Sequence, residues 1–202
     1  MFAKSATQIR TTLIAMAAFM LPASVVAVPA AAAQTCQQSI VVNQGKILQD
    51  AKGANDIRAK LKTMAESTGQ QLQPEGQSLE TERDSIAALV QGKTEDQIKA
   101  DESLMSRINS FETRLNSYGE RTNKNLRDLQ YTEMMAWRDF ATALEGVLQT
   151  VAQERGATCV QDAASMLYFP PSADATDRTI QLLDERSPSV NVVRRAAPTP
   201  AQ

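Results

Sequence analysis

Cys36 and Cys159 are the two cysteines of this 202-residue chain, and histidine is absent. The missing histidine excludes a Ser-His-Asp triad and histidine acid–base chemistry, and it removes the commonest metal ligand. Two cysteines are too few for a tetrahedral thiolate zinc site. In an oxidising compartment an even pair predicts a disulfide, with two buried free thiols or an intermolecular bridge as alternatives. The sequence also has no phosphate-binding glycine loop, so we expect no enzyme, no metal and no cofactor.

The first 33 residues predict export to such a compartment. Two basic residues precede an apolar run from Leu13 to Val28, and the segment ends in Ala31-x-Ala33. This pattern is typical of a secretory signal peptide, here cleaved between Ala33 and Gln34. An uncleaved anchor helix is the alternative, but two prolines interrupt the apolar run. Lipidation of Cys36 is disfavoured because the residues before it lack the Leu and small-residue pattern of lipoproteins.

Charge and composition limit both the partners and the shape. The chain has 21 basic and 23 acidic residues, a formal net charge of −2, and loss of the leader with its two basic residues makes it more negative. Because the chain has no excess of positive charge to bind phosphates, we expect no nucleic-acid partner. Aromatic residues make up only 4% of the chain. This is too little for the core of a compact globule, so an elongated molecule is expected.

The first candidate binding surface is a set of basic residues on one helical segment. It consists of Arg107, Arg114, Arg121 and Lys124. The three arginines are one heptad apart and therefore share a helix face. The alternative interpretation is a solvated face whose charges form ion pairs with Glu66, Glu80 and Glu82.

The second candidate surface combines aromatic and methionine side chains. It consists of Tyr131, Met134, Met135, Trp137 and Phe140. Such side chains adapt to varied apolar partners. The alternative is that they pack the base of a helix onto the rest of the protein. We expect both, with Trp137 and Phe140 directed inward and part of the Tyr131 and Met135 side exposed.

A long polar helical stretch from Asn55 to Arg155 must position these surfaces. It breaks near Gly92, which suits a helix C-cap, and Thr94 with Gln97 forms a capping box. Apolar and polar residues on either side recur at three- and four-residue steps, as in coiled coils. We predict an antiparallel helical hairpin over residues 54–129, with its tip near 91–95. In the predicted register Thr68 faces Tyr118, and Ile57 faces Leu129.

The hairpin is expected to be soft. Polar residues occupy several positions where a stable coiled coil would have Leu or Ile. Pro74 interrupts the first arm, and Gly69 and Gly119 are nearly opposite each other in the predicted register. Because proline and glycine weaken helix interiors, these three residues are the candidate hinges.

Residues 34–53 and 130–186 predict a small body at the base of the hairpin. Its strands are predicted at Ile40-Val41-Val42, around Val160, and over Met166–Phe169, the last two forming a hairpin. A final helix begins at Thr176, and residues 187–202 are predicted to be a disordered tail. Three short strands do not make a stable sheet alone, so the body should oligomerise. The candidate contact residues are Ile40, Val41, Val42, Val160, Leu167 and Phe169.

Several segments, taken in order, resemble the Skp/OmpH family of periplasmic chaperones. They are Ile40-Val41-Val42-Asn43, Ile47-Leu48-Gln49, Arg155-Gly156-Ala157-Thr158-Cys159-Val160-Gln161-Asp162, Met166-Leu167-Tyr168 and Pro171-Ser172-Ala173-Asp174-Ala175-Thr176-Asp177. The resemblance covers roughly residues 39 to 186. It is most specific at the two ends, because almost any helical hairpin could imitate the middle.

The resemblance implies a mainly α fold in which a long helical hairpin is inserted in a short-stranded trimerisation body. Three hairpins of a periplasmic homotrimer would enclose a cavity. There, unfolded outer-membrane proteins would be held without ATP on their way to the assembly machinery, with transient membrane contact possible. The mildly acidic charge differs from the strongly basic members of the family. The alternative is a periplasmic structural or adaptor coiled coil without chaperone activity.

Overall fold

The computed structural model describes residue 36 and residues 38–199. The predicted signal peptide and its cleavage site lie outside these residues. The helices and strands follow in the order β1 (Ser39–Val42), α1 (Gln44–Asp50), α2 (Lys52–Val90), α3 (Glu95–Ala100), α4 (Glu102–Glu154), β2 (Cys159–Asp162) and α5 (Thr176–Arg186). Among the described residues, no helix is both long enough and apolar enough to cross a bilayer.

Helices α2 and α4 form the predicted antiparallel hairpin. Gly92 adopts a positive φ of 78° just after α2, a conformation that costs glycine little. The Thr94 side chain accepts from the Gln97 amide, and the Gln97 side chain accepts from the Thr94 amide, so both halves of the expected capping box are present. Asp101 then caps α4 by accepting from the Leu104 amide.

The predicted register of the hairpin is wrong by about two helical turns. Tyr118 was expected to face Thr68, but its hydroxyl lies 2.9 Å from the position that a Cβ atom would take at Gly76. The cause is the tip. Helix α3 and the Asp101 cap extend the turn to residues 91–101, so α4 starts later than a turn at 91–95 would allow.

The shifted register gives the base of α4 a partner that the sequence pattern did not predict. Phe140 lies against Gly53, with a ring carbon 3.4 Å from a Cβ position there. The Arg58 guanidinium lies 6.0 Å from the centre of the Trp137 ring. The first turns of α2 therefore pack on the part of α4 beyond residue 130.

The body contains a two-stranded parallel sheet. Strand β1 pairs with β2, with Ser39 opposite Cys159 and Val42 opposite Asp162. On its other side β1 is bridged at Val41 to Asp174. A disulfide joins Cys36, just before β1, to Cys159, the first residue of β2, with 5.6 Å between the Cα atoms. The cross-link therefore fixes the start of β1 to β2, which lies far along the sequence.

The third predicted strand, at Met166–Phe169, does not form. Asp162 caps a 3-10 helix over Ala163–Ser165, which directs the chain away from β2 instead of turning it back as a hairpin. The side of β1 that faces away from β2 is not open to a further strand either, because the Ala175 amide donates to the Val41 carbonyl at 2.8 Å. Leu167 is consequently fully exposed, and Tyr168 is mostly exposed.

The hydrophobic core lies in the body and at the base of the hairpin. Its fully buried members include Ile47, Ile57, Phe140, Val151 and Leu183, drawn from four helices. On α4 the buried residues recur at helical spacing, so one face of the second half of this helix is apolar and packs on α2 and α5. The core thus joins the two ends of the described chain around the base of the hairpin.

Residues 187–199, after α5, pack against the hairpin, although residues 187–202 were predicted to be a disordered tail. Residues 200–202 lie outside the described residues. Val190 is buried in the core, and Val192 packs beside it. Side chains of both long helices bind the backbone of this segment, including Asp56, which accepts from the Val190 amide at 2.9 Å. The low-complexity composition suggested disorder, but anchors distant in sequence hold the segment in place.

Candidate functional site

The candidates for function in this fold are surfaces of the hairpin and of the body. Over residues 36 and 38–199, the side chains form no cluster of three or more acidic or cysteine groups that could hold a metal.

The predicted basic set links the two arms of the hairpin. Arg107 Nε donates to Glu82 Oε1 at 2.6 Å, and this contact lowers the pKa of the Glu82 carboxyl below its ordinary value. Arg114 donates to Ser78 Oγ at 3.1 Å, and Arg121 forms an ion pair with Glu75. The heptad spacing thus presents all three arginines to α2.

Only one of the three acidic partners considered from the sequence is used. Glu82 binds Arg107, whereas Glu66 and Glu80 lie near Lys62 and Arg83 of their own helix. The register shift explains the difference, because it places Glu75 opposite Arg121. Lys124, the fourth basic residue, pairs with Asp128 at 2.6 Å within α4.

An apolar groove lies between the arms and was missed by the sequence reasoning. It has a volume of about 380 Å³ and is lined by Gly76, Leu79, Glu80, Arg83, Phe111, Leu115 and Tyr118. Leu115 is 45% exposed, so this groove offers apolar surface to other molecules. Phe111 and Tyr118 are one heptad apart in the sequence. They face Gly76 and Arg83 in the register that the structure shows, but not in the register that the sequence pattern predicted.

The aromatic and methionine set divides between core and surface. Phe140 is buried, and Trp137 packs edge-on against it with 5.9 Å between the ring centres. Met134 points outward and is 55% exposed, while Tyr131 and Met135 are half-buried. The inward part of this set therefore anchors the base of the hairpin, and Met134 remains available for contacts.

The residues assigned to oligomerisation also divide. The side chains of Ile40, Val41 and Val42 are buried within this chain. Val160 and Leu167 are exposed, and Phe169 is half-buried. Strand β2 pairs with β1 in a sheet of only two strands. Its outer edge and the exposed side chains around it form the available contact surface of the body.

The three candidate hinges lie within unbroken helices. Pro74 is inside α2, which continues through it to Val90. Beyond their chain neighbours and the adjacent backbone of their own helix, Gly69 and Gly119 have no atom within 4 Å of their Cβ positions. The expected interruption at Pro74 is thus absent, since the chain keeps its helical path on both sides. Bending at these positions remains a prediction.

Comparison with known proteins places this arrangement in a family. No curated protein sequence matches the chain. A crystal structure from Caulobacter crescentus CB15, described as a candidate outer membrane chaperone (OmpH-like), matches with a TM-score of 0.67 and 17% identity, covering 82% of this chain and 93% of that one. At this identity the match shows a shared fold. The family model described as "Outer membrane protein (OmpH-like)" matches residues 39–183. Since that match spans most of the chain, the protein belongs to the OmpH-like family.

Proposed function

We propose that this protein is an ATP-independent periplasmic holdase. It binds unfolded outer-membrane β-barrel proteins in a cavity between helical arms and prevents their aggregation. The observation that carries this proposal is the long α2–α4 hairpin that leaves a small body, in a chain of the OmpH-like family. A hairpin of this kind surrounds a client while its own core stays in the body.

The body supports assembly into a homotrimer. A two-stranded sheet is marginal by itself, and β2 offers an open edge that another chain can extend. Val160, Leu167 and Tyr168 add exposed apolar surface next to this edge. Three copies joined through this surface would place three hairpins around one space.

The arms support weak and adaptable binding. The groove lined by Phe111, Leu115 and Tyr118 offers apolar contacts, and the arginines at 107, 114 and 121 lie along the same hairpin. Individually weak contacts to a long unfolded chain give useful affinity through their number, and they dissociate without a fuel molecule. Periplasmic location rests on the N-terminal signal pattern and on the disulfide.

Aggregation of a client tests the proposal directly. A urea-unfolded outer-membrane barrel protein is diluted into buffer with the purified mature protein, and light scattering and complex mass are measured. We expect lower scattering and a soluble complex that contains three copies per client. Unchanged aggregation would instead favour the structural adaptor.

Matched variants of α4 test which surface binds. Leu115→Ser should weaken client binding, whereas Leu126→Ser, at an exposed position of the same helix, should not. Replacement of Arg107, Arg114 and Arg121 by Gln should weaken binding in a salt-dependent way, with Arg127→Gln as the control. Trp137 fluorescence should change when the client binds near the base of the arms.

A further inference from the structure

The segment after α5 runs along the hairpin in an extended path. Its Val190 amide binds Asp56 of α2, and its Arg194 side chain binds Thr68 of the same helix. These positions on α2 are separated by about 18 Å along the helix axis, at 1.5 Å per residue. Four residues of chain span at most about 14 Å. The backbone of the segment and the side chains of Asp56 and Arg194 together cover this distance, as expected of an extended chain.

Polar side chains of the hairpin hold the backbone of this segment. Asp56 Oδ2 accepts from the Val190 amide at 2.9 Å, while Lys60 Nζ donates to the Val190 carbonyl at 2.8 Å. On α4, Thr132 Oγ1 accepts from the Arg195 amide, and Asp128 Oδ1 accepts from the Ala197 amide, both at 2.9 Å. These four bonds use groups that every non-proline residue carries.

The spacing of the two α4 acceptors matches an extended chain. Thr132 and Asp128 are one turn apart, about 6 Å along the helix axis. Amides two residues apart in a strand are separated by about 6.6 Å and point to the same side. Arg195 and Ala197 occupy these two positions. The two acceptors on α4 thus bind alternate amides of an extended chain, and these bonds do not depend on which side chains the chain carries.

Over residues 190–193 the side chains also alternate between buried and exposed positions. Val190 is buried and Val192 is half-buried, while Asn191 and Val193 between and after them are exposed. Val192 also lines an open cavity of about 500 Å³ against Met64 and Thr68 of α2. The contacts of this stretch therefore favour apolar residues at positions 190 and 192, and the cavity leaves room for a side chain larger than Val192.

We propose that the groove of α2 and α4 in which this segment lies is a binding site for extended polypeptide segments with alternating apolar and polar residues. Residues 187–199 occupy this groove as a displaceable strap. Strands of outer-membrane barrels have this alternation. The identification of the displacing segment as client rests on the proposed function. The family match ends at residue 183, so the strap lies beyond the part of the chain that the family model describes.

A tethered strap competes strongly with free ligands. Its effective concentration at the groove is of order millimolar, as for other short linkers. A single short peptide should therefore bind poorly to the full chain and well once the strap is removed. A long unfolded client, with many alternating segments, can displace the strap more effectively than one peptide can.

Peptide binding to two forms of the protein tests the site. A fluorescent peptide with the sequence of residues 188–199 is titrated against the mature chain and against a variant that ends at Arg186. We expect at least tenfold tighter binding to the shortened variant. A second peptide with alternating Val and Ser should also bind that variant. If neither peptide binds the shortened variant, the proposed site is overturned. If only the first peptide binds, the site recognises the strap and not alternating segments in general.

Changes at single hydrogen bonds test whether the site recognises the backbone of the peptide. N-methylation of the peptide at the positions of Arg195 and Ala197 removes both donors and should reduce affinity at least tenfold. N-methylation at the position of Val193, whose amide is in none of these four bonds, is the control. Thr132→Val in the shortened variant should weaken both unmethylated peptides. Equal affinities throughout would contradict recognition through these acceptors.

A measurement on the mature chain avoids dependence on the folding of the shortened variant. The amides of Arg195 and Ala197 should exchange slowly with solvent, and excess Val-Ser peptide should accelerate their exchange. Unaffected exchange at saturating peptide would overturn displacement. Because peptide binding and exchange involve no unfolded barrel protein, a negative result here is distinct from failure to suppress client aggregation.

Discussion

The body and the arms of this protein are stabilised by different interactions. In the body, side chains such as Ile47, Phe140 and Leu183 are removed from water, and a disulfide joins the ends. Along the arms beyond the base, the buried apolar residues among those described are Leu79 and Leu104. Charged and hydroxyl side chains also link α2 to α4 there, through Arg107, Arg114 and Arg121.

This difference separates stability from binding. Apolar burial provides most of the free energy of folding, so the body can maintain the structure while the arms deform. Exposed ion pairs contribute little to stability. Arms joined by such contacts can change their separation at low cost, which suits a surface that must fit many unfolded chains.

Removal of a core side chain should produce the largest effect. Phe140→Ala deletes a ring that is 2% exposed, and buried Phe→Ala changes cost about 3–5 kcal/mol. Leu126→Ala, at a residue of the same helix that is 54% exposed, should cost less than about 0.5 kcal/mol. Urea unfolding followed by circular dichroism measures both. Similar losses for the two variants would contradict the division between body and arm.

Loss of the disulfide should be the next largest effect. The bond between Cys36 and Cys159 closes a loop with a sequence separation of 123, and removing such a cross-link typically costs about 2–4 kcal/mol. The double variant Cys36→Ser, Cys159→Ser should lose stability by this amount while its helix content at low temperature is unchanged. Reduction of the wild type is the control, and it should reproduce the double variant. A loss of helix in the arms would mean that arm and body are less independent than the packing indicates.

Glycine replacement in the arm should have a smaller and opposite effect. Gly69→Ala adds a methyl group where no atom beyond its chain neighbours and the adjacent helix backbone lies within 4 Å, and Ala favours a helix over Gly by about 0.5–1 kcal/mol. Gly76→Ala should gain less, because its methyl group would meet the Tyr118 hydroxyl at 2.9 Å. Hydrogen exchange of amides around each site measures the change. Unaltered exchange around residue 69 would remove that position from the candidate hinges.

Local signals in the sequence predicted the hairpin and its caps. Thr94 and Gln97 form the expected capping box because that motif depends on neighbours within one turn. The register failed because the side-chain pattern fits two alignments about two turns apart, and only the short helix α3 distinguishes them. Repeating patterns along a helix contain no information about the length of the connecting turn.

The failures in the body have a similar origin. Met166–Phe169 has strand-forming residues and was expected to form a hairpin with β2, but β2 pairs with β1, and the 3-10 helix at Ala163–Ser165 directs the chain away. Residues 187–202, which include the strap, were expected to be disordered because they consist largely of Pro, Ala and Val. The order of the strap depends on Asp56, Asp128 and Thr132, which are distant in the sequence. Non-local partners such as these are not visible in a local pattern.

The smallest predicted effect is the pH response of one contact between the arms. Arg107 lowers the pKa of the Glu82 carboxyl below the ordinary value for Glu, chiefly through a hydrogen bond and also through its charge. A lowered pKa means that this pair stabilises the folded hairpin above the ordinary pKa of about 4.3, and that the contribution disappears as the pH falls through the folded value.

Carbon-detected NMR titration of the Glu82 side chain measures this response. In the wild type the midpoint should lie below that of an unstructured Glu. In Arg107→Gln it should return toward the ordinary value, because the positive partner is gone, while Lys99→Gln leaves it unchanged, since Lys99 pairs with Glu95 in α3. The free energy involved is small since both side chains are partly exposed, at 38% and 25%. A midpoint that does not move in Arg107→Gln would mean that the arms are not joined at this position in solution, and that they separate even more readily than the contrast with the body implies.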